Sequence, residues 1–249
     1  MTESAPIPAV HSTAPPSASG LIEMDQTPVV ATVGTAPGLI ALAGASYLAA
    51  RLQRPHWPRL MRWLLATVWF GFYQIADTLH TVGHIRSARQ VNAPMDRVLL
   101  TWGLQGTHYD DNNVTPRQHM GRAAGGVGVS GVATLLSYPF YAVFGHLPVV
   151  GALIEAWFVC NALLFLGAAA PTPHNDGATL LKWVVAQRTG EEALGDEAVQ
   201  TAGSALIGGL GLLTLVLLLR GRWRSALGAL LAGGAAALDL FVLKGKLPM

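Results

Sequence analysis

Apolar residues gather into six long runs after residue 34, separated by short polar or basic connectors. The runs fall at about residues 35–52, 63–85, 116–144, 148–169, 199–219 and 225–243. A helix needs about 20 such residues to cross a hydrocarbon layer ~30 Å thick, so the pattern predicts about six membrane-spanning helices. Residues 86–115 break the pattern: Val98-Leu99-Leu100 and Trp102 predict a short β-like stretch ahead of the polar series Thr107 to Asn113. Pro116 suits the first turn of the next helix, where Gly121, Gly125, Gly126, Gly128 and Gly131 permit close approach by a neighbour. The fourth run ends at Pro171-Thr172-Pro173-His174-Asn175-Asp176-Gly177, and an amphipathic segment at 178–187 leads into an acidic loop.

Residues 1–34 are rich in Ala, Pro, Ser and Thr, lack Lys and Arg, and carry only Glu3, Glu23 and Asp25 as charges. Such a segment cannot bury enough apolar surface to order itself, which predicts a disordered N-terminal tail over 1–34. It also lacks the basic start of a secretory signal. No internal repeat divides the remainder, so residues 35–249 read as one membrane domain. The expected fold is an all-α polytopic membrane protein with about six transmembrane helices and a short β-like excursion after the second.

Composition sharpens this picture. The chain of 249 residues is 51% hydrophobic and only 12% charged, with a mean hydropathy of +0.41, so the lipid bilayer is its expected surroundings. Sixteen basic residues stand against 14 acidic ones without a dense cationic run, which argues against nucleic acid as a partner. With Cys160 as the single cysteine, neither an intramolecular disulfide nor a cysteine-built metal site is available. Lys and Arg divide almost evenly between the two sides of the predicted bundle, leaving its orientation open. The abundance of alanine, and of arginine over lysine, leads us to expect a bacterial plasma-membrane protein.

Chemistry enters at the end of the second run. His80 and His84 lie four residues apart, so on a helix their side chains fall within about 40° of each other, one turn apart. Two imidazoles so placed can share one metal ion, or each can simply bond to backbone or water inside a bundle. Asp77 falls on the same face, as a base, a ligand or an acceptor for the ring N–H of His80. His108, His119 and His146 have no partner at ligand spacing and read as loop or interface histidines, and Asp239 as a polar group in helix packing.

The run from Asp77 through His80-Thr81-Val82-Gly83-His84 resembles the first signature of the site-2 protease family of intramembrane zinc metalloproteases, His-Glu-x-Gly-His. Asn161, Pro171, Pro173 and Asn175-Asp176-Gly177 resemble its second, an Asn and a Pro-bearing stretch before Leu-Asp-Gly. With the excursion and the Gly-rich run between them, the likeness covers about residues 64–187. It implies zinc held by His80, His84 and Asp176 with a fourth position open, and a cleft to which Asn161, Asn175, His174 and Glu155 contribute.

Thr81 stands where the family's catalytic glutamate would. Its hydroxyl is far too weak a base to take a proton near neutral pH, which leaves Asp77 and Glu155 as replacement carboxylates to consider. The leading expectation is a zinc-binding membrane protein, proteolytically impaired, that binds transmembrane segments of partner proteins. An active intramembrane metalloprotease is one alternative. A pigment- or haem-binding subunit of a membrane assembly is the other.

Overall fold

The computed structural model describes residues 22–243. These form a mostly helical bundle of seven α-helices with a small four-stranded sheet at one end. The helices are α1 (Thr35–Gln53), α2 (Arg59–Gln90), α3 (Pro116–Phe144), α4 (Val150–Ala168), α5 (Asp176–Thr189), α6 (Glu192–Leu219) and α7 (Trp223–Ala237), which passes into a π-helical turn at Leu238–Leu243. Among the described residues α3, α4 and α6 are long and apolar enough to cross a membrane, and Ser225–Phe241 is a shorter apolar helix. All six apolar runs are helical, but polar residues dilute the others. Asp77, His80 and His84 interrupt α2, and Ser46, Tyr47 and Arg51 interrupt α1.

The packing is that of a bundle built for lipid. Small residues lie inside, among them Ala76 and Gly83 on α2, Ala123 and Gly126 on α3, and Ala152 and Ala156 on α4. Large ones such as Leu135, Leu136, Leu166, Leu212 and Leu219 face outward. Where lipid tails are as apolar as leucine, close backbone approach drives helix association in place of hydrophobic burial. Gly125 shows how close: a Cβ there would lie 2.1 Å from the Gly83 carbonyl oxygen, so α2 and α3 meet backbone to backbone. Thr115 and Gln118 form a capping box around Pro116, fixing the start of α3.

The N-terminal expectation needs correction. Residues 1–21 lie outside the described residues, but part of the segment assigned to the tail is ordered sheet. Strands β1 (Ile22–Met24) and β2 (Thr27–Ala31) form a hairpin, and β2 pairs in parallel with β3 (Arg97–Thr101), itself antiparallel to β4 (Leu104–His108). Alternation along β2 buries Thr27 and Val29, and Val29 joins Ile85, Met95 and Val98 in a core beneath the sheet. Asp25, one of the charges of this segment, pairs with Arg86 and Arg89 at the end of α2. The excursion after α2 is accordingly a β3–β4 hairpin inside a larger sheet.

Candidate metal centre

The helical period of α2 stacks His80 and His84 on the face turned to α3, with their Nε2 atoms 3.0 Å apart. Asp176, the first residue of α5, places Oδ2 at 3.5 Å from His80 Nε2 and 3.3 Å from His84 Nε2. The three ligand atoms lie within 4.8 Å of one another. A tetrahedral ion with bonds of about 2.0–2.1 Å requires ligand–ligand edges of about 3.3 Å, and this triangle has that size.

The far side of each imidazole is also fixed. His84 Nδ1 bonds the Arg122 carbonyl oxygen at 2.7 Å, and a carbonyl only accepts, so Nδ1 carries the ring proton and Nε2 keeps its lone pair. Ser130 Oγ takes the equivalent place for His80, 2.8 Å from Nδ1. Such outer partners orient ligating histidines. Two imidazole nitrogens and a carboxylate oxygen converging this closely form a donor set of the kind zinc takes, and the residues present therefore fit a metal. Burial pushes the Asp176 carboxyl up, but the adjoining His80 and His84 rings outweigh it and hold the group below the usual carboxylate range.

Gly126 keeps the space open, since a Cβ there would lie 2.1 Å from His84 Nε2 and 2.6 Å from His80 Nε2. A cavity of about 710 Å3 reaches the triangle, with His84 and Asp176 in its wall beside Tyr109, Arg122, His174 and Trp183. Its size suits a ligand or a short peptide segment.

The remaining expected residues have other partners. Thr81 is fully buried, and its Oγ1 donates to the Asp77 carbonyl one turn back at 2.9 Å. Asp77 does not receive the His80 ring proton, because Ser130 stands there instead. Its carboxylate accepts from the Gln105 backbone N–H at 2.9 Å and ties strand β4 to α2. Glu155 is bound by Gln53 at 2.7 Å and Arg54 at 3.3 Å, in the contact between α1 and α4. Asn161, almost wholly buried, donates to the Trp157 carbonyl of its own helix. Asn175 caps α5 by position and donates to Thr172 Oγ1 at 2.6 Å.

His174 lines the cavity, and its Nδ1 bonds Asp239, a residue read from the sequence as a packing group. Ser130 and Arg122 were not anticipated, and Gly126 was read only as a position of close helix approach. Nothing in a Gly-rich run marks which serine or carbonyl will meet an imidazole, whereas an acid alone in an apolar run, as Asp239 is, carries a readable signal.

No family model matches the chain, and no curated protein does. Among solved structures it is similar to the site-2 protease from Methanocaldococcus jannaschii, with 15% identity and a TM-score of 0.50 over 88% of this chain and 92% of that one. At that identity the likeness speaks for the fold, and the chain has a site-2-protease-like fold.

Proposed function

We propose that this protein is an integral membrane protein with six spans, of a bacterial plasma membrane, that binds zinc through His80, His84 and Asp176 and holds transmembrane segments of partner proteins with little or no proteolysis. The observation that carries the reading is the triangle itself: three ligand atoms at tetrahedral spacing, on a fold like that of a site-2 protease. Zinc in such a site supplies a Lewis acid for polarising a carbonyl oxygen.

The chain's own residues support binding better than cleavage. Peptide hydrolysis needs a group that takes a proton from the attacking water and returns it to the leaving amine. Thr81 cannot accept a proton near neutral pH, and its own proton is committed to the Asp77 carbonyl. Asp77 is bound by Gln105 and Glu155 by Gln53 and Arg54 in contacts between elements, and neither carboxylate lines the cavity beside the triangle. The cavity beside the triangle remains as a place for an extended chain.

Thr81→Glu separates the two halves of this reading. General acid–base catalysis contributes about 10²–10⁴-fold, so wild type should show negligible cleavage of a reconstituted transmembrane peptide. Thr81→Glu should cleave it measurably at unchanged zinc content. Robust zinc-dependent cleavage by wild type, undiminished in Asp77→Asn and Glu155→Gln, contradicts the proposal.

A further inference from the structure

Asp239 is the sole acidic residue after residue 197. A carboxylate in an apolar helical run is costly unless it has partners, which makes it a candidate for a role beyond packing. Both its oxygens point to one residue: Oδ1 accepts from His174 Nδ1, and Oδ2 from the His174 backbone N–H at 3.4 Å. His174 lies two residues before Asp176, in the loop that joins α4 to α5.

The loop is otherwise bonded mainly to itself. Asn175 N donates to the Thr172 carbonyl at 2.9 Å, Asn175 Nδ2 to Thr172 Oγ1, and Ala178 N to the Asn175 carbonyl at 3.1 Å. These bonds shape the turn without fixing its height over the imidazoles. Asp239 adds an anchor from a different element. It sits in the π-helical turn, a geometry that adds a residue per turn and occurs often at functional sites. That turn directs Asp239 towards His174 and buries the adjacent Leu240 against α6. There a Cβ on Gly203 would lie 3.1 Å from Leu240 Cδ1 and 2.9 Å from the Pro171 carbonyl oxygen. The end of the last helix and the ligand-bearing loop therefore meet over the same point on α6.

We propose that Asp239 is a positioning residue for the metal centre: by holding the backbone and ring of His174, it sets the 171–175 loop so that Asp176 presents its carboxylate to His80 and His84. This inference rests on the zinc reading and extends it to a part of the chain outside both resembling motifs. The protein would then need its C-terminal turn for a well-formed site.

The test uses the full chain in detergent, with cobalt as a spectroscopic substitute for zinc and a competing chelator to measure affinity. Wild type, His80→Ala, Asp239→Ala and Asp239→Glu are compared, with hydrogen exchange of the 171–177 segment followed in the metal-free proteins. Outer partners of metal ligands typically change affinity by about 10–100-fold. Asp239→Ala should bind cobalt about 10–100-fold more weakly with an altered visible spectrum, and should exchange faster at 171–177. Asp239→Glu should recover most of the affinity, a rescue that general loss of fold would not allow. An Asp239→Ala protein matching wild type in affinity, spectrum and exchange, while His80→Ala loses cobalt, overturns the inference and leaves the zinc reading standing. A wild type as blank as His80→Ala overturns both.

Discussion

The two imidazoles of the triangle owe their orientation to the atoms behind them. His80 and His84 face inward because α2 repeats every 3.6 residues, but their Nε2 atoms meet because Ser130 Oγ and the Arg122 carbonyl hold the other ring nitrogens. Gly126 then decides whether anything fits between them. Gly126→Ala should abolish or severely weaken zinc binding while helix content measured by circular dichroism stays near wild type, because its methyl group would lie 2.1 Å from His84 Nε2. Wild-type zinc affinity in that variant would mean the two imidazoles are not held as described. His80 and His84 were legible in the sequence from their helical spacing, and Asp176 only through the likeness of Asn175-Asp176-Gly177 to a family motif. Their supports were not, because a hydrogen bond between α2 and α3 depends on the relative rotation of two helices, which neither segment encodes by itself.

At the level of elements, apolar length proved a good guide to where helices run and a poorer one to what else the chain builds. The run containing Asp77, His80 and His84 is less apolar than α3, α4 and α6, and yet it is the longest helix among the described residues, at 32 residues or about 48 Å. Its polar residues lie inside the bundle, where Gln105, Ser130, Arg122 and Asp176 meet them. Cysteine-accessibility mapping on a Cys160→Ala background should accordingly find six protected segments, α1 and α2 among them, and four or fewer would refute the proposed span count. The N-terminal hairpin was misread for a physical reason. Strand β2 pairs with β1 next to it and also with β3, about 70 residues later, and local composition does not register so distant a partner.

Considered as a whole, the molecule assembles one site from widely separated parts. Helix α2 supplies two imidazoles, α3 the groups behind them, α5 the carboxylate and the C-terminal turn the anchor of its loop. The likeness to a site-2 protease extends over most of the chain at 15% identity, so what the two share is arrangement more than sequence. His80, His84 and Asp176 are brought together with hydrogen-bond partners behind both rings, whereas a buried threonine, Thr81, adjoins His80 in the chain. The central claim is therefore about metal. Zinc content per chain, measured by elemental analysis on protein purified without added metal or chelator, should be about one for wild type and near zero for His80→Ala and Asp176→Ala, each still folded. Equal zinc content in all three proteins, or none in wild type even after incubation with zinc, would contradict the account.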